Sequence, residues 1–150
     1  AGSVIEGSAC SDHPLRYAES LVHEASHSFL NYVMQLRGID PTRAQRLFWS
    51  PWRGCDRPSF GIIHGAWAFA FVLDFYQTIV SGGFLETLSP AQARYCNARV
   101  AYERSRLEEV RASLSHALTD LHDDTVTHLL ETAWQVVDKS WVASDGIRCA

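Results

Sequence analysis

Apolar residues recur at helical spacing from the first quarter of the chain. Leu15, Ala18, Leu21, Val22, Ala25, Phe29, Tyr32, Val33 and Leu36 share one stripe of a 3.6-residue period. Asp12-His13-Pro14 supplies a capping aspartate and a proline in the first turn, and Gly38 with Pro41 beyond it ends the run. A second apolar segment, near Ile62 to Val80, holds Ala66, Trp67, Phe69, Phe71, Val72 and Phe75 and is apolar on most sides, so it is expected to be central. Ser81-Gly82-Gly83 breaks it. Ser89-Pro90 opens a third, long helix whose stripe is Val100, Leu107, Val110, Leu114 and Leu118. Its other face mixes Arg104, Arg106, Glu108, Glu109 and Arg111, a solvated surface. A fourth helix is predicted from about Asp120 to Trp141.

Residues 41 to 61, PTRAQRLFWSPWRGCDRPSFG, break the helical period with three prolines and two glycines. They read as a long, ordered, irregular loop, and such a loop in a compact domain is more often functional than idle. No stretch has convincing strand alternation. The expected fold is all-α: one compact domain over residues 1–150 with four main helices, a long Pro/Trp loop between the first two, and a loosely ordered start over residues 1–11.

Composition narrows the function. A chain with 47% apolar and 20% charged residues is globular, and a net charge of −4 argues against a general nucleic-acid binder. The longest apolar run, Ala66 to Leu73, is about one third of a bilayer span, and no export signal is visible, so a cytoplasmic protein without membrane attachment is expected. Four scattered cysteines (Cys10, Cys55, Cys96, Cys149) fit reduced thiols better than a disulfide framework. The chain opens Ala1-Gly2-Ser3 without methionine and is expected to be an excerpt of a longer protein.

The first helix carries the candidate chemistry. His23-Glu24-Ala25-Ser26-His27 sets two imidazoles four residues apart, on one face and one turn from each other. Glu24 projects about 100° around the helix and would flank a metal there. Zinc peptidases use this arrangement, with the glutamate as general base. A third ligand must come from elsewhere. The extended peptidase motif would need glycine at 30 and histidine at 33, but the chain has Leu30 and Val33. Glu86 and Glu103 are the first glutamates downstream, neither in a convincing context. His64, in FGIIHGAW between Gly61 and Gly65, is better placed, with Asp56 as rival or supplement. Asp74 lies ten residues further along the same helix, about 15 Å away, and cannot share an ion with His64.

HEASHSFLN, followed by SPWRGCDRPSFGIIHG and an aromatic helix, resembles the HExxH-type peptide β-hydroxylases over residues 20 to about 76. These iron- and 2-oxoglutarate-dependent domains act on ribosomally made peptides, some of them fused to or encoded beside radical-SAM maturases. The resemblance implies that His23, His27 and His64 bind Fe(II), with 2-oxoglutarate and O₂ as co-substrates. It further implies β-hydroxylation of a peptide side chain, with aspartate the candidate target, and a precursor peptide and a radical-SAM maturase as partners. Three protein ligands on an octahedral ion leave room for an oxoacid chelate and O₂. The far carboxylate of 2-oxoglutarate needs a cation, and Arg57 and Arg53 are nominated, Arg57 first because Pro58 restricts its backbone. Trp49 and Trp52 are candidate pocket walls. Glu24 then orients a ligand or contacts substrate.

Two readings compete with the hydroxylase: a zinc metallopeptidase with Glu24 as catalytic base, and a non-catalytic helical module that binds peptide through its aromatic face. His116, His122 and His128 recur every six residues, which scatters them around a helix and argues against a second metal site. Cys55 lacks an adjacent base and is not expected to act as a nucleophile.

Overall fold

A computed structural model describes residues 14–145; the N-terminal segment with Cys10, Asp12 and His13, and the segment with Cys149, lie outside the described residues. Four helices dominate: α1 (Pro14–Leu36), α2 (Ser59–Ser81), α3 (Pro90–Leu121) and α4 (Asp124–Asp145). The fold is all-α, as the apolar periodicity predicts. α2 is the hub, in contact with each of the other three helices. Ile62, Ile63, Ala66, Trp67, Leu73 and Tyr76 on it are almost fully buried. By length and composition α2 could also cross a bilayer, but 56% of that apolar stretch is buried inside the fold.

Three expectations need correction. The loop after α1 is partly regular: Pro41–Arg43 forms a short 3-10 turn, and β1 (Leu47–Ser50) pairs antiparallel with β2 (Cys55–Pro58). Strands of four residues are too short to display alternation, and both adjoin prolines. What closes the hairpin is Gly54, at φ 63°, whose N–H reaches the Ser50 carbonyl at 2.8 Å. Secondly, α4 starts at Asp124 and not Asp120, because α3 runs on to Leu121 and ends where His122 turns left-handed at φ 53°. Thirdly, α1 does not bury its apolar stripe. Its buried residues are Ser26, Leu30 and Met34, while Tyr17, Leu21, Phe29, Tyr32 and Leu36 are exposed. The helix turns its histidine face toward α2, and this places the stripe outside.

Other boundaries follow local chemistry. Ser89 and Gln92 form a reciprocal capping box at the head of α3, with Pro90 in the first turn. α2 begins three residues earlier than the apolar run suggests, because Ser59 is drawn inward: its N–H bonds the Arg46 carbonyl at 2.9 Å and its hydroxyl bonds Asp120 at 2.7 Å. These contacts tie the base of the hairpin to the start of α2 and the end of α3.

Candidate metal centre

One face of α1 reads Glu19, His23, His27, Asn31, each one turn after the last. α2 offers His64 opposite, where its close approach to the hairpin is governed by small residues. A Cβ on Gly65 would stand 3.5 Å from the Trp52 ring, and one on Gly61 would stand 3.1 Å from Arg57 Nε. Trp67 ties the two helices together by donating Nε1–H to the Ser26 carbonyl at 2.8 Å.

The three histidines meet. His23 Nε2 and His27 Nε2 lie 2.9 Å apart. The His27 and His64 rings stack with centroids 3.8 Å apart and planes within 8°. Phe69 packs on His23 at 4.9 Å and Phe60 on His64 at 4.9 Å. All three rings are held toward the neutral form. Burial is the main cause for each, and neighbouring positive groups add to it: His64, His23 and Arg53 around His27, His23 and Arg57 around His64. His27 falls furthest, to about 4. Neutral imidazoles present lone pairs, which is the state a metal needs.

The donor geometry fits an ion at two of three positions. Nitrogens at about 2.1 Å from one ion and at right angles would be about 3 Å apart, close to the separation of the two Nε2 atoms. His27 Nδ1 is buried with no hydrogen-bond partner, so Nε2 is that ring's outlet. His64 is at hand but differently engaged. It shows its face to His27, and its Nε2 lies 3.1 Å from Asn31 Oδ1. Among the described residues no three His, Cys, Asp or Glu side chains yet surround one point at ligand distance.

The histidines line a cleft of about 460 Å³, together with Glu24, Trp52, Arg53, Arg57, Arg99 and Glu103 among others. Arg53 and Arg57 have no ion-pair partner among the described residues. Arg99, by contrast, is held between Glu19 and Glu103, each at 2.5 Å. Glu24 is exposed at the cleft. Trp52 lines the cleft, stacked on Phe69 at 4.7 Å and donating Nε1–H to Glu103 at 2.9 Å. Trp49 does not. It is 50% exposed, outside the cleft, and its Nε1–H bonds Glu109, because alternate residues of β1 face opposite sides. Asp56, Asp74 and Glu86 also lie away from the cleft lining. Cys55 is an exposed free thiol and Cys96 a buried one.

Sequence reasoning did not single out Glu19, Asn31 or Arg99, and it set Glu103 aside. Two signals point to them. Glu19 and Asn31 continue the four-residue spacing of the histidines in both directions. Glu103 occupies a core position in the α3 stripe, between Val100 and Leu107, and a charge there is rarely left without a partner. It is fully buried, and its carboxyl is pushed up to about 7 by burial, with Arg99 and the Trp52 N–H pulling the other way. Glu19 ties α1 to its neighbours, accepting from Tyr76 at 2.6 Å and Tyr95 at 3.3 Å as well as from Arg99. No protein-family model, curated protein or solved structure matches this chain.

Proposed function

We propose that this chain is an Fe(II)- and 2-oxoglutarate-dependent oxygenase that hydroxylates the β-carbon of a side chain, with aspartate the candidate, in a ribosomally made peptide. The observation that carries the reading is the meeting of three neutral histidines in a cleft that also holds two arginines without carboxylate partners. His23, His27 and His64 would hold the iron. Bound iron would use O₂ as the oxidant, with the oxoacid giving two electrons as it becomes succinate and CO₂, so that one oxygen atom, as hydroxyl, replaces hydrogen on the target carbon. The protein's own part is to bind and to exclude. Arg57, whose charge acts on His64, and Arg53, whose charge acts on His23 and His27, offer forks for carboxylates on two sides of the cluster. Trp52, Phe69 and Phe60 keep water from the inner cleft. Glu24, at the cleft rim, is available to a peptide backbone. The free thiols suit a reducing cytoplasm, and a radical-SAM maturase is the proposed companion.

A zinc peptidase is the second reading, favoured by the position of Glu24 beside the histidines, where its carboxylate would accept a proton from attacking water. One experiment separates the two. Metal-free protein is titrated anaerobically with Fe(II) and 2-oxoglutarate. A weak visible charge-transfer band, lost in a folded His64→Ala variant, supports the oxygenase. No band, with stoichiometric zinc uptake and peptide cleavage abolished in Glu24→Gln, overturns it in favour of hydrolysis.

A further inference from the structure

Of the three histidines, His64 is the one whose ring nitrogen meets a side chain outside the trio, whereas the Nε2 atoms of His23 and His27 face each other. The His64 Nε2 lies 3.1 Å from Asn31 Oδ1, and its ring is clamped between the parallel His27 ring and the tilted Phe60 ring. Asn31 is on the ligand helix itself, one turn beyond His27, so it moves with His23 and His27. We propose that Asn31 is the positioning residue for the third histidine. Its amide oxygen accepts the Nε2–H of His64, fixes the ring's rotation relative to the other two, and leaves Nδ1 as the basic nitrogen. The inference rests on the metal reading of the cleft and adds a residue to it. An outer partner of this kind normally orients a ligand histidine and raises its basicity.

The arrangement also explains why an exposed asparagine stands at this position. α1 exposes several apolar residues on its outer side, yet the step after His27 on the inner face is polar and reaches across to α2. Stacking alone would let the imidazole flip by half a turn, putting Cδ2 where Nδ1 stands and Cε1 where Nε2 stands. The Asn31 contact makes the two orientations unequal.

The test measures zinc and cobalt affinity by competition with a chromophoric chelator, with no turnover involved. Asn31→Leu keeps the branched shape and removes the acceptor; Asn31→Asp keeps an acceptor. The expected result is about a 10-fold loss of affinity in Asn31→Leu, near-native binding in Asn31→Asp, and no further loss when Asn31→Leu is added to His64→Ala. Asn31 is exposed, so both variants should fold, and circular dichroism melting checks this. Unchanged or tighter binding in Asn31→Leu overturns the proposal while leaving the metal site intact. An equal loss in the His64→Ala background also overturns it, since the effect would then pass through α1 and not through His64. A wild-type chain that takes up neither metal removes the metal reading itself, and this inference with it.

Discussion

Glu103 is the most exacting test of the physical account. Two influences oppose on its carboxyl. Full burial favours the proton, and Arg99 at 2.5 Å with the Trp52 N–H at 2.9 Å favours the charge. Burial wins if the group titrates near 7, against an ordinary value of 4.5. Between those pH values the folded protein keeps a proton that the unfolded chain has already released. Stability therefore falls as pH rises through this window, and the loss is complete above the folded value. At about 1.4 kcal/mol per pH unit the interval amounts to about 3 kcal/mol. Glu103→Gln isolates the effect, because Gln keeps the size and an oxygen for Trp52 but cannot titrate. Urea unfolding of both proteins from pH 4.5 to 8.5 gives two curves whose difference cancels every other group. The difference should move toward the variant by up to about 3 kcal/mol across the window. Parallel curves would refute the reasoning and show that the Arg99 pair keeps Glu103 charged throughout.

Other outcomes follow from single positions. In metal-free protein His27 has a folded value of about 4 against 6.5, so the unfolded chain binds its proton first. The stability it contributes is full above pH 6.5 and disappears as pH falls toward 4, by about 1–2 kcal/mol after allowing for partial solvent screening; a His27→Asn variant with the same acid profile as wild type would contradict this. Gly54→Ala should destabilise by about 1–2 kcal/mol, all of it backbone strain at φ 63°, since a Cβ there meets nothing within 4 Å; a Tm equal to wild type would show that the turn relaxes freely. Gly61→Ala puts a methyl 3.1 Å from Arg57 Nε and 3.2 Å from its Cβ. If Arg57 holds the oxoacid, KM for 2-oxoglutarate should rise several-fold with little change in Tm, and an unchanged KM would remove Arg57 from that role.

How much could be read from the sequence depended on distance along the chain. The first three helices were legible because each carries its own apolar pattern and its own stops, α4 was placed only approximately for want of a clear start signal, and the His23–His27 pair was legible because helical geometry alone puts the two rings together. His64 was found through its glycines, which mark close backbone approach; Gly61 and Gly65 do lie against Arg57 and Trp52. The hairpin was missed because its order comes from Gly54, the Ser50 carbonyl and the anchoring of Ser59, and not from strand patterning. The exposed stripe of α1 shows the limit of periodicity. It identifies an apolar face without saying whether anything in the chain covers it. Arg99 was missed because nothing local tells a buried charge from a solvated one on a helix studded with both, and Glu103 was set aside although its place in the stripe between Val100 and Leu107 marks it as inward.

The pairing of Trp52 with Glu103, and of Glu19 with Arg99, bears on how the chain could be divided. All three histidines and the hairpin lie before residue 76, so a fragment ending there would contain every residue of the recognisable motif. It would not contain the groups that complete the wall. Glu19 would lose Tyr95 and Arg99, and the Trp52 N–H would lose its acceptor. The part of the chain that identifies the site is thus shorter than the part that builds it, and a graft meant to carry the site into another scaffold needs the first half of α3 as well.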